Sequence, residues 1–516
     1  MKNLQKFNFK DLFVLDVANN HQGSVEHGTK IINECASVAK KYGVKAAMKF
    51  QFRDLPDFIH QDEQKNPTNK HVPRFLSTLL NWGDFKKLVG IVKEKNLLAM
   101  CTPFDEVSVE KIVELNFDLI KVASCSARDW PLLEKIAASG LPIVASTGGL
   151  LQSEVDDLVS FFVHRGCDFA LMHCVSIYPT PDEACNLGNI ASFKERYPDR
   201  VIGWSTHEPP GDTLQVALAS ALGAQMFERH VGVETDSIKL NAYSSTPEQV
   251  DLWLKQYFRA KTLIGSMKRE SPLDLERSAI DDLRRGVFAK VEIPAGELIT
   301  RDQVYFAFPY RAGQLSSGDW KDGITTGATI GPDAPVQMEY LAIPNDPDLQ
   351  VLKHAIHEVK AQLALARVPL THEFTTEYSH HYGVANFREV GAVLINVINR
   401  SYAKKVLVQL SGQKHPHHFH KLKEETFLVL WGELISELDG RERILRPGDT
   451  LTVPPGVWHC FRTETGCVFE EISTTAYSND SVYRDPFINQ LTSNQRKTVV
   501  DHWGRFQLKE QLRNLE

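Results

Sequence analysis

Eight short apolar runs each close on side chains that could do chemistry: LFVLDVA, AAMKFQF, LLAMCTPF, FDLIKVAS, LPIVASTG, FALMHCV, RVIGWSTH and AQMFERHV. Read to their ends, they give Asp16 with Asn20 and His21, then Lys49 with Gln51, then Thr102. The fourth ends in Lys121 and Ser124, the fifth in Ser146 and Thr147. Ser176 and Tyr178 follow the sixth, Ser205 and His207 close the seventh, and Glu228 and His230 close the eighth. Two lysines among several hydroxyls and backbone amides suit a phosphate and a carboxylate. Two histidines from adjacent strands suit a divalent metal with open coordination positions. Taken singly, each lysine has a plainer explanation as half of a buried ion pair, and each histidine as a hydrogen-bonded core residue. Eight polar ends in phase are hard to assign to packing.

A second set lies toward the C-terminal end. His418 and His420 alternate in a strand pattern and so share a face. Glu425 and His459 would arrive from neighbouring strands. Three imidazoles and a carboxylate suit Fe, Mn, Ni or Zn. The competing readings are a shift by one to Glu424 and a barrel that has lost its metal.

These residues need elements to position them. The amphipathic segment TKIINECASVAKKYG puts Ile31, Ile32, Cys35, Val38 and Ala39 on one helix face, with Gly43 as its stop. Eight strand–helix repeats in roughly 250 residues predict an α/β chain that opens with a TIM (β/α)8 barrel, over 1–270, with its site at the C-terminal strand ends. A doubly wound open sheet is the alternative. A break near KRESPLDLERS precedes a small β-rich module at 284–343 with a Pro-Ala-Gly turn. One linker helix is expected at 344–369. An all-β domain follows at 370–486, with turns at Asp439-Gly440, Pro447-Gly448 and Pro455-Gly456, and then a tail at 487–516.

The chain has 516 residues, 42% hydrophobic and 24% charged, which suits a multidomain globular protein. Its net charge of −7 argues against nucleic acid or an anionic membrane as the main partner. The N-terminal stretch lacks a signal-like apolar region and no run is long enough to span a bilayer. The eight cysteines form no CxxC pair, so reduced thiols in a cytoplasmic protein are expected.

The segments FVLDVANNHQGS, MKFQ, CTPFD, IKVAS, STGG, HCVSIYPTP, NLGNI, WSTH and ERH resemble, in order, the motifs of the N-acetylneuraminate (sialic acid) synthase family. The resemblance runs from about residue 10 to 343, because RRGVFAKVEIPAGELITRDQV is similar to that family's antifreeze-like (SAF) domain. GQKHPHHFHKLKEETFLVLWG and GDTLTVPPGVWHCFRT resemble the two cupin motifs, carrying Gly412, His418, His420, Glu425 and Gly432, then Gly448, Pro454, Gly456 and His459. Thr463 stands where the second motif usually ends in asparagine, a position that is not a metal ligand.

The synthase resemblance implies a transferase that condenses phosphoenolpyruvate with an aldose and water to a 3-deoxy-2-ulosonic acid, releasing phosphate. It implies that His207 and His230 hold manganese or a similar ion. Lys49, Thr102, Lys121, Ser124, Ser146, Tyr178 and Ser205 would hold phosphoenolpyruvate, with Thr147 a further substrate-binding candidate from its strand end. Lys49 and Lys121 count with Asp16 as catalytic candidates. Gln51 and Asp16 would face the sugar, Asp16 standing where the family has a glutamate and orienting the metal-bound water or a sugar hydroxyl. The family works as a homodimer in which the SAF module covers the partner's site, and Arg311 is the nearest candidate to reach the sugar.

Departures concentrate on the sugar side. Ser124-Cys125-Ser126 replaces the family's Ser-Gly-Glu, Leu240-Asn241 replaces Asp-His, and Ser176 replaces an asparagine. The expected substrate is therefore a neutral or differently substituted aldose rather than N-acetylmannosamine. Fusion to a cupin suggests aldose–ketose isomerisation, epimerisation or sugar binding beside the barrel's reaction. Two other readings stay open: a Schiff-base aldolase using Lys49 or Lys121, and a sugar sensor without chemistry.

Overall fold

The computed structural model describes residues 6–503 apart from 267–272, 346, 371, 373 and 478. The chain divides into two compact units, Met1–Ser271 and Pro272–Glu516. Of the expected break at KRESPLDLERS, residues 268–272 lie outside the described residues, and the helix Asp274–Asp281 begins within its second half.

In the first unit the apolar runs are the strands β1 (Leu12–Asp16), β2 (Lys45–Phe52), β3 (Leu98–Pro103) and β4 (Leu119–Val122). They continue as β5 (Ile143–Ser146), β6 (Phe169–Cys174), β7 (Ile202–Thr206) and β8 (Met226–His230). All eight pair in chain order and close, β8 lying parallel to β1, so the sheet is a TIM barrel and not an open one. Both faces of each strand are covered, which is why the runs read as continuously apolar. Alternation sorts the side chains. Leu12, Val14, Ala47, Met100, Val144 and Met226 form one apolar cluster, the barrel's filling. Phe13, Leu15, Phe50, Ile120 and Phe227 belong to the larger core between strands and helices. Above the apolar filling the inward positions turn polar: Asp16 sits in register with Lys49 on one side and His230 on the other.

The amphipathic segment after β1 is the helix Val25–Tyr42, with Ile31, Ile32, Cys35 and Ala39 buried. Gly43 ends it in the left-handed region at φ 63°, donating its N–H to the carbonyls of Ala39 and Lys40. The β2–β3 crossover is longer than a simple helix. Three short helices, Leu55–Phe58, Gln61–Lys65 and Val72–Ser77, precede the main one at Trp82–Glu94.

In the second unit a small module pairs Gly286–Ala289 with Val304–Ala307 and Thr325–Thr326 with Leu341–Ala342, around Val287, Ile293, Ile299, Leu315 and Val336. The remainder is a seven-stranded and a five-stranded sheet with antiparallel pairing. The Asp439-Gly440 turn joins Leu434–Leu438 to Arg441–Leu445 with φ 44° and 77°, the left-handed pair that a two-residue hairpin needs. Two boundaries differ from expectation. The helix Pro347–Leu365 is no free linker: Leu352, Ala355, Val359 and Leu363 are buried with Tyr378, Phe387, Val393 and Val408 of the sheet. The expected tail contributes the strand Lys497–Asp501, which pairs with Thr375–Ser379 at the sheet's edge; residues 504–516 lie outside the described residues. All eight cysteines are free. No helix among the described residues is long and apolar enough to cross a membrane.

Candidate functional sites

The C-terminal ends of the barrel strands surround a cavity of about 750 Å³. Its floor is a charged cluster. Lys49 Nζ donates to Glu228 Oε1 at 3.0 Å and lies 3.0 Å from Asp16 Oδ2. Lys121 Nζ donates to the same Glu228 oxygen at 2.9 Å, and the Ser205 hydroxyl donates to it at 3.1 Å. Both lysines are therefore members of ion pairs and still line the cavity. They are not equivalent. Burial opposes the charge on Lys49, but the carboxylates of Asp16 and Glu228 outweigh it and hold its pKa above the usual lysine value. Lys121 has only Glu228, and there burial wins, so its pKa falls below the usual value. Two buried atoms at this level have no hydrogen-bond partner, Glu228 Oε2 and Thr102 Oγ1. An unpaired buried polar atom is costly, and in a cavity it marks where a ligand atom belongs.

His207 and His230 stand at the cavity wall with ring centroids 5.4 Å apart. His207 Nδ1 pairs with the Val175 carbonyl at 2.9 Å, which leaves Nε2 for a ligand. Burial lowers its pKa to about 3, so its imidazole is neutral. Burial also lowers the pKa of His230, whose Nδ1 lies 3.4 Å from Asp16 Oδ2. Neutral imidazoles are the form a metal takes, and the pair fits one divalent ion. Among the described residues they form no group of three candidate ligand atoms within 4.8 Å.

Gln51, Ser124, Ser146 and Tyr178 also line the cavity, the Tyr178 ring lying 4.3 Å from that of His207. Thr147 does not: its hydroxyl donates to the Met172 carbonyl at 3.3 Å. His21 turns away too, accepting the Gly23 N–H and meeting Phe85 edge-on. Of the positions that depart from the synthase motifs, Cys125, Ser176 and Asn241 line the cavity, whereas Ser126 and Leu240 do not. The strand-end reading missed Arg53, Lys70 and Arg74, which bring three further positive charges to the rim. Arg53 was legible, since Lys49, Gln51 and Arg53 continue one alternating face. Lys70 and Arg74 arrive with the inserted short helices, which nothing in the strand pattern announces. Arg311 belongs to the second unit, where its exposed guanidinium lies 5.7 Å from the Phe288 ring centroid.

The second unit holds the other expected cluster. The ligand atoms of His418, His420, Glu425 and His459 all lie within 4.8 Å of one another, and all four residues are buried. Glu424 is exposed and takes no part. Every imidazole is oriented through its far nitrogen. His418 Nδ1 pairs with the Pro416 carbonyl at 3.0 Å, His459 Nδ1 with that of Val457 at 3.0 Å, and His420 Nδ1 with the Ser481 hydroxyl at 3.2 Å. The three Nε2 atoms are thereby turned inward. Glu425 Oε1 and His459 Nε2 approach to 2.8 Å, yet neither has a hydrogen-bond partner. Lys423 holds the other Glu425 oxygen at 2.5 Å and is itself held by Glu471 at 2.9 Å. Orphaned donor atoms converging on one point, with their outer atoms anchored, fit a transition-metal ion. They open onto a cavity of about 120 Å³ that also presents His381, His415, Tyr483 and Arg496.

Together these features define a TIM-barrel protein with a cavity lined by cations and a histidine pair at its strand ends, and a second unit whose buried His–Glu cluster lies among antiparallel strands. Comparison with known proteins names both parts. The NeuB family model matches residues 35–269 and the cupin domain model residues 406–470. The chain is 42% identical to a solved protein from Chromobacterium violaceum assigned to spore coat polysaccharide biosynthesis (protein E), covering 65% of this chain and 100% of that one, with a TM-score of 0.62. It is 28% identical to mouse N-acetylneuraminate-9-phosphate synthase over 56% of this chain and 81% of that protein. It is 25% identical to the N,N'-diacetyllegionaminic acid synthase of Campylobacter jejuni, over 56% and 88%. The chain belongs to the NeuB family and carries a cupin domain.

Proposed function

We propose that the barrel condenses phosphoenolpyruvate with an aldose to a 3-deoxy-2-ulosonic acid, releasing phosphate. The observation that carries this is the pairing, in one cavity, of the Lys49–Lys121–Glu228 floor with the neutral His207–His230 wall. The lysines, with Thr102, Ser124, Ser146 and Ser205, bind the phosphate and carboxylate of phosphoenolpyruvate and place its C3 toward the histidines. A divalent ion held by His207 and His230 would supply Lewis-acid polarisation of the aldehyde. C3 bonds to the aldehyde carbon, whose oxygen takes a proton. Water adds to C2, and phosphate leaves as the C2–O bond breaks, giving the 2-keto group. Asp16, between Lys49 and His230, orients the water or a sugar hydroxyl, and Gln51 faces the sugar.

By the same reading the module at 284–343 is an SAF-like cover, and the active form is a homodimer in which Arg311 offers its exposed guanidinium to the sugar. The cupin holds a divalent metal through His418, His420, Glu425 and His459 and binds or isomerises a sugar. Incubating the protein, phosphoenolpyruvate and Mn²⁺ with a panel of aldoses tests the reaction. Mass spectrometry should find one new ulosonic acid in step with released phosphate; release of phosphate without a condensed product would count against it. One observation favours a second reading: the lowered pKa of Lys121 suits a Schiff-base nucleophile. Borohydride trapping of pyruvate on Lys121 would support that aldolase.

A further inference from the structure

The charges of the barrel cavity do not balance. Its lining holds Lys49, Arg53, Lys70, Arg74 and Lys121 against two carboxylates, Asp16 and Glu228. Both carboxylates are engaged by the floor lysines. The three rim cations meet no carboxylate within ion-pair distance among the described residues. Arg74 donates instead to the Gln22 side chain at 2.7 Å and to the Asn19 carbonyl at 3.1 Å.

Arg53 is the most constrained of them. Its guanidinium carbon lies 3.7 Å from the Phe104 ring centroid and 4.0 Å from that of Phe75, so two aromatic rings fix it. Its one side-chain hydrogen bond is from Nη2 to Gln51 Oε1 at 3.1 Å, and its Nε is buried with no partner. A guanidinium held by rings at a cavity wall, with its Nε unsatisfied, presents a planar fork to a carboxylate or phosphate. Burial lowers its pKa to about 10.

Arg53 also sits away from the floor. It is four residues beyond Lys49 along extended chain, about 13 Å at the usual rise per residue. The reaction as proposed has two organic substrates, and the second must reach the histidine wall with its aldehyde while its far end lies toward the rim. We propose that Arg53, supported by Arg74 and Lys70, binds an anionic group on the acceptor aldose, a phosphate or carboxylate remote from the aldehyde. This rests on the condensation reading above and narrows the neutral or differently substituted aldose expected from the sequence to a charged one.

The test uses the full chain with phosphoenolpyruvate, Mn²⁺ and three acceptors: N-acetylmannosamine, its 6-phosphate and the corresponding uronic acid. The native protein should turn over the phosphate or the uronate with the highest kcat/KM, and which of the two leads identifies the anion. Arg53→Met should raise KM for that acceptor by about 30-fold or more, with KM for phosphoenolpyruvate unmoved and the melting temperature retained. Arg53→Lys should recover part of the loss, having the charge without the fork. Equal use of the neutral sugar by the native protein would overturn the proposal. So would an Arg53→Met defect expressed in KM for phosphoenolpyruvate, which would place the anion on that substrate. If no acceptor releases phosphate, the condensation reading fails, and calorimetric titration with the two charged sugars still decides the subsite. Binding lost in Arg53→Met would support it, and equal binding or none would overturn it.

Discussion

At the scale of residues, the barrel site rests on the floor cations and the two wall imidazoles. His207→Ala or His230→Ala removes half of the protein's offered metal ligands and should abolish phosphate release without unfolding the chain. Full activity of either variant after chelator treatment would refute the assignment. Lys121→Met takes a positive charge from the cavity floor and leaves Glu228 with Lys49 and the Ser205 hydroxyl. Use of phosphoenolpyruvate should fall by an amount typical of a lost buried charge contact, about 2–5 kcal/mol, and by far less in Lys121→Arg; steady-state kinetics read the difference. In the cupin, Lys423 fixes Glu425 from behind. Lys423→Met should weaken metal binding there by about 10–100-fold, measured by chelator competition; unchanged affinity would make Lys423 a packing residue. Most of these side chains were legible because a strand end exposes its alternation. The same rule, followed strictly, separates Ser146 from Thr147: neighbours on a strand face opposite ways, and only Ser146 lines the cavity.

At the scale of elements, the turn after β5 shows how backbone geometry serves the site. A Cβ on Gly148 would stand 2.6 Å from Ser176 Oγ, 2.7 Å from Cys174 Sγ and 2.8 Å from Ser124 Oγ. Only glycine lets this turn come so near the ends of β4 and β6, and the Gly148 N–H donates to the Ser124 hydroxyl at 3.0 Å. Gly148→Ala should displace these hydroxyls and raise KM for phosphoenolpyruvate, with a small change in melting temperature; unchanged kinetics would show that Ser124 and Ser176 stay outside the anion site. The eight strands, the helix after β1 and the Asp439-Gly440 hairpin follow from local signals that agree with the tertiary structure. The short helices between β2 and the helix Trp82–Glu94 do not, because segments of four to six residues carry too few periods to read. The helix Pro347–Leu365 was legible as a helix but not as part of the cupin core, since an apolar stripe does not name the surface that buries it. The strand Lys497–Asp501 was missed for the related reason that a five-residue edge strand takes its identity from its partner.

At the scale of the molecule, a NeuB-family barrel and a cupin each carry a separately built site. The cupin's four candidate ligands and their outer anchors all come from residues 416–481. His418→Ala with His420→Ala should therefore empty that site, as metal analysis would show, and leave condensation intact when the barrel's own substrate is supplied. Loss of condensation in a folded double variant would mean that the cupin belongs to the barrel's chemistry. In the proposed reaction phosphoenolpyruvate acts as a carbon nucleophile and then loses phosphate from C2. Phosphoenolpyruvate labelled with ¹⁸O at the oxygen bridging C2 and phosphorus tests it most directly. With the acceptor aldose present, the label should emerge in inorganic phosphate while a new ulosonic acid forms. Label retained in a carbonyl product, or pyruvate in place of the condensed acid, would contradict the account.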